Sequence, residues 1–323
     1  MTAAGILTAF PKLRVLVVGD VCLDRWCTYD PDLAEPSRET GIPRIGVVST
    51  EVTPGAAGTV ASNLVSLQTG KVAVLGLAGN DGFGYELRRG LEARGIVSLL
   101  VEAPEVPTFT YTKLINRQTG AEDIPRVDFV YTEPLPAALD RALVLALEQA
   151  APEFDVILVS DQAETSAGGV VTPAMREALA RIPNALVWVD SRLRAENFRN
   201  VIVKPNRQEA EAACMRALGR VDYAELRRRL NAPALVITHG AEGALVVTQA
   251  GSAFVPTRGV EHPVDICGAG DSFSAGAALA LKVTSDPVEA ARFGNLVASI
   301  TIMKKGTGTA SPAEVLAGAA NVG

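Results

Sequence analysis

Residues 15–20 are Val-Leu-Val-Val-Gly-Asp, a continuous apolar run that ends in a turn. Such a run is typical of a strand buried on both faces, as in a parallel sheet covered by helices. Similar runs recur along the chain and alternate with helix-like stretches. The runs lie at 72–77, 156–159, 186–189, 201–203 and 234–238, and the helical patterns at 85–94, 136–150, 173–181 and 224–230. This alternation predicts an α/β fold with a mostly parallel central sheet covered on both sides.

Segments in the first half of the chain break this rhythm. Residues 45–52, 108–116 and 126–131 alternate apolar and polar side chains, and no helical pattern follows them. Such alternation predicts strands of a second, half-exposed sheet. Because these strands fall between units of the main sheet, we expect a lid rather than a separable domain. The lid is formed by segments near 31–53 and 106–132 of a single domain that spans residues 1–323.

Composition limits the classes of function. The 323 residues are 48% hydrophobic and carry a net charge of −6, which argues against a surface that binds nucleic acid non-specifically. Four scattered cysteines without a CxxC pair and two histidines make a Cys/His zinc site a poor fit and suit a reducing cytosol. We find no signal peptide and no apolar run long enough to span a membrane, so we expect a cytoplasmic location.

The segment 265–276, Asp-Ile-Cys-Gly-Ala-Gly-Asp-Ser-Phe-Ser-Ala-Gly, carries the strongest chemical signal. Free amides of Gly268, Ala269 and Gly270 at a helix N-terminus would bind an anion, because unpaired N–H groups and the helix dipole favour negative charge. Asp271 beside an anion site suits a general base that takes a proton from a hydroxyl attacking a bound phosphate. The alternative is a tight turn followed by a helix of small residues that packs closely on the sheet.

Other candidates follow strand ends, where open parallel sheets bind their ligands. Asp20 and Asp24 follow the first strand and could accept hydroxyl hydrogen bonds from a polyol, or could cap a turn. The small-residue run 54–63, with Gly55, Thr59 and Asn63, would let a ligand approach the backbone, although helix packing alone also explains it.

Two segments in the second half suit a nucleotide. Asn206 and Glu209 share a helical face and could hold Mg2+ or its waters; the alternative is a helix N-cap with its capping-box partner. Thr238 to Gly243 could form a nucleotide-facing turn. The sequence contains no GxxxxGK[ST] motif, and Phe273 stands where a dinucleotide fingerprint needs glycine or alanine.

The order of these motifs resembles that of the ribokinase-like (PfkB) sugar kinases, from about residue 13 to residue 313. The resemblance implies a three-layer α/β/α sandwich with a small β-sheet lid. Within the family, VLVVGDVCLDRW, TYTKLINRQTGAEDIPRVDF and FGNLVASITIMKKGT look most like the heptose-phosphate kinases of ADP-heptose synthesis. These kinases phosphorylate D-glycero-D-manno-heptose 7-phosphate at its anomeric hydroxyl. Because the chain stops soon after Ser311-Pro312, we expect the nucleotidyltransferase activity of bifunctional forms to be absent.

The resemblance also implies a role for each matching position. Asp271 would be the general base, and the amides of Gly268, Ala269 and Gly270 would stabilise the transferring phosphoryl group. Asn206 and Glu209 would organise Mg2+, and Asp265, with the 305–306 region, would bind K+. The remaining positions divide into an ATP site (Thr238, Gly240, Gly243, Asn295) and a sugar site (Asp20, Asp24, Gly55, Thr59, Asn63).

Several positions depart from the family pattern, and most lie on the sugar side. Thr59 replaces the usual sugar-binding Asn, and residues 162–164, 190–192 and 266–267 also differ. The acceptor therefore stays open. The alternatives are a nucleotide- or sugar-binding regulatory homologue without turnover and a nucleoside kinase of the same fold.

Basic residues near the lid would bind a phosphate carried by the sugar. The candidates are Arg38, Lys113, Arg126 and Arg192. The half-apolar face of the segment 108–116 further predicts a homodimer formed through the lid.

Overall fold

A computed structural model describes residues 1–257, 259–260 and 262–320. Its strands belong to a large sheet, a small three-stranded sheet and a two-stranded pair. In chain order they are β1 (Arg14–Gly19), β2 (Val21–Asp30), β3 (Gly46–Ala56), β4 (Lys71–Leu75), β5 (Leu77–Gly79), β6 (Val97–Ser98), β7 (Val101–Ala103), β8 (Thr110–Asn116), β9 (Val156–Asp161), β10 (Leu186–Ser191), β11 (Ile202–Val203), β12 (Ala234–Thr238), β13 (Gly243–Thr248) and β14 (Gly251–Pro256).

The large sheet has nine strands in the order β14-β13-β12-β11-β10-β9-β1-β4-β6. Neighbours are parallel from β12 to β6, and only β12, β13 and β14 form an antiparallel meander. The predicted apolar runs are its central strands, and β9 is buried along its whole length. The predicted strand at 72–77 is two strands, because β4 ends at Leu75 and residues from Leu77 pair with β7 instead.

Helices cover both faces of this sheet. One layer contributes to the core around Phe10 and Trp188, and the other to the core around Phe198. The first layer contains α1 (Ala3–Leu7), α2 (Ala57–Ser66), α3 (Gly82–Glu92), α8 (Ala269–Thr284), α9 (Pro287–Thr301) and α10 (Pro312–Ala320), and the second α4 (Ala137–Ala150), α5 (Pro173–Ala180), α6 (Arg207–Leu218) and α7 (Tyr223–Leu230). The three-layer α/β/α architecture is therefore as predicted. In the described part of the chain, no helix has both the length and the apolar character needed to cross a membrane.

The small sheet has the order β3-β2-β8, and its strand β2 starts directly after the carboxyl end of β1. It begins at Val21, so Asp24 lies within a strand and not in the loop that the sequence suggested. The strand predicted at 126–131 is wrong: only an isolated bridge joins Thr110 to Phe129. The reason is that Asp128 Oδ1 accepts the hydrogen bond from Thr112 N (3.0 Å), so a side chain occupies a position that a ladder carbonyl would fill.

The strand order of the large sheet reverses between β1 and β9, which are adjacent and parallel. From this pair, later strands extend to one side, and β4 and β6 extend to the other. In such a sheet the loops at the carboxyl ends separate and leave a crevice for ligands. At the end of β1, Gly19 (φ +146°) lets the backbone lie close to Ser160 of β9, because a Cβ there would lie 2.0 Å from Ser160 O.

Candidate active site

The N-terminus of α8 presents the predicted anion site. Gly268 is the N-cap residue in the left-handed conformation (φ +76°), and Asp271 lies in the first turn. Among the described residues, the amides of Gly268 and Gly270 have no hydrogen-bond acceptor. Ala269 corrects the prediction, because its amide already donates to Ile266 O within the turn (3.2 Å). Two of the three predicted amides therefore stay available to an anion.

A cleft of about 580 Å³ extends from this turn across the ends of β10, β11 and β12. Its walls contain most of the residues that the sequence predicted to act in catalysis, metal binding and nucleotide binding. They include Asn206, Glu209, Thr238, Gly240, Gly243, Gly268, Ala269, Gly270, Asp271 and Asn295. A cavity of this size is in the range that small-molecule ligands occupy.

Asp271 has the charge properties of a base that works near neutral pH. Burial raises its pKa to about 7, with a further increase from Asp190 and a smaller one from Asp24. Lys204 opposes the increase. A carboxylate with this pKa is about half ionised at neutral pH, and its ionised form accepts a proton readily, as general-base catalysis requires.

Lys204 and Asp190 form a buried ion pair that the sequence analysis did not assign to the site. Lys204 Nζ lies 2.8 Å from Asp190 Oδ2, and the lysine side chain is only 4% exposed. A Cβ built on Gly270 would lie 3.6 Å from the same nitrogen, so the ammonium group lies next to the glycine turn. Their positions at strand ends could have indicated that both residues belong to the site, because Lys204 directly follows β11 and Asp190 lies at the end of β10.

Asn206 and Glu209 form a capping box at the start of α6. Asn206 Oδ1 accepts from Glu209 N (2.9 Å), and Glu209 Oε2 accepts from Asn206 N (2.7 Å). Burial raises the pKa of Glu209, and Asp190 adds to this increase. The capping-box alternative is therefore present, and among the described residues no protein donor is bonded to the other carboxylate oxygen, Glu209 Oε1.

The nucleotide-side turn follows β12. Gly240–Glu242 forms one 3-10 turn, and Gly243 has φ +128°. A Cβ on Gly243 would lie 2.1 Å from Val255 O, so glycine is required where the turn meets β14. Asn295 on α9 is buried and donates through Nδ2 to the same Val255 O (3.1 Å). These residues line one wall of the cleft through backbone and small side chains.

Asp24 lies on strand β2 of the lid sheet and does not line this cleft. Its carboxylate packs against β3, where a Cβ on Gly55 would lie 2.5 Å from Asp24 Oδ2. Burial raises the pKa of Asp24 to about 6, while the Cys22 thiol, Lys113 and Arg126 oppose the increase. Because Asp24 also raises the pKa of Asp271, the structure brings these two carboxylates into one electrostatic environment.

Asp20 anchors a loop. Its carboxylate accepts from Gln162 N and Val170 N, both at 2.8 Å, and burial raises its pKa to about 6. This geometry is the turn-capping alternative from the sequence.

Thr59 and Asn63 are buried on α2. The Thr59 methyl would lie 3.4 Å from a Cβ on Gly268, and Asn63 Nδ2 donates to Thr59 O (3.0 Å). Thr59 therefore packs against the glycine turn, and Asn63 is bonded to the helix turn that carries Thr59.

Three of the four candidate phosphate-binding residues have acidic neighbours. Lys113 Nζ lies 3.8 Å from Glu122, Arg126 2.7 Å from Asp128, and Arg192 3.2 Å from Glu164. Arg38 lies in the exposed turn between β2 and β3. Lys113 and Arg126 influence Asp24, which places them beside the predicted sugar site.

Asp265 joins the two segments that the resemblance assigned to K+. It accepts from Cys267 N through Oδ1 (2.9 Å) and from Gly306 N through Oδ2 (3.1 Å). In the residues that the structure covers, no group of three or more His, Cys, Asp and Glu side chains forms a metal-binding cluster.

Comparison with known proteins places the chain among sugar kinases. A family model described as "pfkB family carbohydrate kinase" matches residues 12–314. The chain is 32% identical over 321 residues to a bifunctional protein HldE of Shewanella loihica, covering 96% of this chain and 64% of that protein. The HldE protein of Methylococcus capsulatus is 33% identical over 327 residues with the same coverage. The chain thus spans less than two thirds of the length of these curated relatives.

The fold is also found in solved structures. Phosphofructokinase-2 from Escherichia coli, determined in complex with potassium, superposes with a TM-score of 0.73 at 21% identity. The match covers 96% of this chain and 99% of that chain. At this level of identity the likeness concerns the fold alone, and it agrees with the three-layer architecture predicted from the sequence.

Proposed function

The chain belongs to the pfkB family of carbohydrate kinases, and from this we propose that it transfers the γ-phosphoryl group of ATP to a hydroxyl of a sugar or sugar phosphate. The family is one of phosphotransferases that act on sugar hydroxyls. The observation that carries the proposal is the position of Asp271, a carboxylate with a pKa of about 7 beside the free amides of Gly268 and Gly270.

Asp271 takes the proton of the acceptor hydroxyl as its oxygen attacks the γ-phosphorus atom in line with the leaving group. The oxygen–phosphorus bond to ADP breaks as the new one forms, and the proton stays on the Asp271 carboxyl until solvent removes it. Negative charge on the transferring group is stabilised by the amides of Gly268 and Gly270, the α8 dipole and the Lys204 ammonium group. These groups are fixed before the reaction begins, which favours the transition state.

The donor set near Glu209 fits Mg2+ held mainly by nucleotide phosphates and water. Glu209 offers one carboxylate oxygen that no protein donor in the described ranges occupies, and the Asn206 oxygen is bonded to Glu209 N at 2.9 Å. Mg2+ typically keeps several waters and takes one or two protein carboxylates. When bound, the ion would neutralise charge on the β- and γ-phosphates.

The ATP site that we propose is the wall formed by Thr238, Gly240, Gly243 and Asn295. Its small side chains suit a nucleotide that lies across the end of β12 and against the middle of α9.

Monovalent cation binding belongs to the same proposal. The Asp265 carboxylate accepts hydrogen bonds from the amides of Cys267 and Gly306. K+ bound to this carboxylate would connect the same two segments. Activity measured in potassium and in tetramethylammonium chloride at equal ionic strength tests this site.

The acceptor lies, in this proposal, between Asp24 and Asp271. Asp24 and the Gly55 backbone would hold sugar hydroxyls, with Asp20, Thr59 and Asn63 supporting that wall. Lys113 and Arg126, which both lower the pKa of Asp24, would contact a phosphate on the acceptor. The resemblance to heptose-phosphate kinases makes D-glycero-D-manno-heptose 7-phosphate the first acceptor to test.

The deciding experiment is ATP turnover with Mg2+ across sugars, sugar phosphates and nucleosides, with formation of the phosphorylated product measured directly. We expect turnover with at least one sugar or sugar phosphate. Turnover only with nucleosides would favour a nucleoside kinase, and ligand binding with no turnover anywhere would favour a regulatory homologue.

The role of Asp271 is tested with Asp271→Asn, which keeps the shape of the side chain. Loss of a general base typically lowers the rate by about 10²- to 10⁴-fold. We expect kcat to fall by this factor while ATP binding, measured by calorimetry, stays within threefold. A variant with near-normal kcat would show that another group accepts the proton.

A further inference from the structure

The loop 162–170, between β9 and α5, is held rigidly over the carboxyl end of the main sheet. The Asp20 carboxylate accepts hydrogen bonds from the first and last amides of this loop, Gln162 N and Val170 N, both at 2.8 Å. From below, the Arg194 guanidinium donates to Ser166 O (3.1 Å) and Gly168 O (3.0 Å) and pairs with Asp161. Arg194 and Asp161 are both buried. A loop fixed at both ends and in the middle is a stable support for whatever contacts it.

The lid contacts this support through side chains. Tyr111 on strand β8 donates its hydroxyl hydrogen to Glu164 Oε1, at 2.5 Å. Arg192 Nη1, from the end of β10, lies 3.2 Å from the same oxygen. A second link runs from Thr165 Oγ1 to Thr132 O (3.0 Å). Glu164 is thus the carboxylate at which a lid strand and the end of a main-sheet strand meet.

Tyr111 is also next to the acceptor side of the cleft. It pairs with Asp24 on adjacent parallel strands, so their side chains emerge on the same face of the lid sheet. The Arg126 guanidinium lies 5.0 Å from the centre of its ring, and the Phe109 ring lies 4.8 Å away. Burial and the bond to Glu164 raise the pKa of the Tyr111 hydroxyl, so it keeps its proton and stays a donor.

We propose that Glu164 is a positioning residue that latches the lid over the acceptor. The bond from Tyr111 to Glu164 must break for β8 to move away from the main sheet, and Asp24 moves with β8 because β2 and β8 pair from Leu23 to Tyr29. The latch therefore fixes the distance between Asp24 on the lid and Asp271 on α8. Glu164 itself does not contact the reacting atoms. This inference rests on the proposed function, because that function supplies the acceptor over which the lid closes.

Loss of the latch has two expected effects on catalysis. The acceptor binds more weakly because Asp24 is less well placed, and water reaches the γ-phosphate more often because the lid opens more often. ATP binding depends on the opposite wall of the cleft and stays unchanged. The result is a rise in acceptor KM and in ATP hydrolysis without product, with ATP KM preserved.

The test compares Glu164→Ala and Tyr111→Phe with Glu153→Ala. Glu153 forms a surface ion pair with Lys71 (2.9 Å) and contacts neither lid nor cleft, so it controls for the loss of an exposed glutamate. We expect acceptor KM to rise about fivefold in each latch variant, the factor that corresponds to one hydrogen bond. Uncoupled ATP hydrolysis should rise similarly, ATP KM should stay within twofold, and Glu153→Ala should match the wild type. The double variant should add little to the larger single effect.

Hydrogen exchange gives a readout that does not need turnover. Without ligands, amides of Thr110–Asn116 should exchange about fivefold faster in Glu164→Ala and Tyr111→Phe than in Glu153→Ala. Exchange and acceptor KM that match the control in both latch variants would overturn the latch. If the wild-type chain phosphorylates no acceptor, the proposed function fails, while faster lid exchange in both variants would still support the contact as a latch.

Discussion

Asp271 lies between two charged side chains that act on it in opposite directions. Asp190 raises its pKa and Lys204 lowers it, although the two form one ion pair 2.8 Å apart. The pKa of about 7 is therefore a balance that either partner can disturb. A base with this pKa gives a kcat/KM that falls as the pH decreases through about 7, because protonated Asp271 cannot accept the hydroxyl proton.

Changing each partner of the pair should move the pH profile in opposite directions. Lys204→Met removes the positive charge, so the apparent pKa of kcat/KM should rise by about one unit; Asp190→Asn removes the negative charge, so it should fall. Both variants break the same buried pair and lose stability, by about 3–5 kcal/mol. The direction of the shift thus separates charge from structural damage. Shifts of the same sign would contradict our account of Asp271.

The sequence indicated Asp271 and the glycine turn but not this ion pair. Asp271 was recognisable because a carboxylate beside free amides is chemically unusual within twelve consecutive residues. Asp190 and Lys204 are fourteen positions apart, and only the parallel pairing of β10 with β11 brings them together. Contacts across neighbouring strand ends depend on strand order, which hydrophobic patterns do not specify.

A second left-handed glycine makes it possible to distinguish the backbone strain at the turn that starts α8 from the role of this turn in catalysis. Gly268 has φ +76° and packs beside Thr59 and Thr307, whereas Gly219 ends α6 with φ +72° and open space around it. Left-handed backbone costs a residue with a side chain on the order of 1–2 kcal/mol. Both positions therefore carry similar backbone strain, but only one faces the cleft.

Gly268→Ala and Gly219→Ala should each lower the free energy of unfolding by about 1 kcal/mol. Only Gly268→Ala should also lower kcat, by about tenfold or more, because its methyl would lie 3.3 Å from the Thr307 methyl and displace the amides from the phosphate. Urea unfolding and steady-state kinetics measure the two effects. Equal kcat values in both variants would show that the turn has no catalytic role.

The sequence predicted strands best where a segment is buried on both faces. The run at 156–159 lies inside β9, and its four apolar side chains carry no group that could replace the backbone bonds of the sheet. The lid was harder, because the alternation at 126–131 predicts a strand while Asp128 bonds Thr112 N through its side chain. Polar side chains that replace backbone acceptors leave a strand-like pattern without a ladder. The span of β2 was missed because Asp20 and Asp24 resembled turn residues.

Carboxylates with raised pKa values link the site to the stability of the protein. Asp20 and Asp24 have pKa values of about 6 and Asp271 about 7, all above the ordinary 3.8. A raised pKa means that the folded state binds the proton more tightly than the unfolded state. The stabilisation is complete below the unfolded pKa and is lost as the pH rises through the folded pKa.

The free energy of unfolding should therefore be lower at pH 7.5 than at pH 5.5, by about 3–4 kcal/mol for the three groups together. Carboxylates with lowered pKa values, such as Asp155 and Glu314, are ionised at both values and do not contribute to the difference. Urea unfolding at the two pH values measures it, and Asp271→Asn should reduce it. Equal or greater stability at pH 7.5 would mean that these carboxylates are better solvated than their burial indicates.

The exposed face predicted on segment 108–116 is absent, because β8 is buried or half-buried along its whole length. The outer edge of the lid offers another surface through which two copies of the chain could assemble. Strand β3 is an edge of the small sheet, and its Val47 and Val48 are both 46% exposed. An exposed apolar edge strand favours pairing with a second chain, so we propose a homodimer through the lid. Val47→Lys should convert it to a monomer in sedimentation velocity at micromolar concentration, because lysine at an edge opposes pairing. Val221→Lys, at a 52% exposed valine outside the lid, should stay dimeric. A monomeric wild-type chain would exclude this interface.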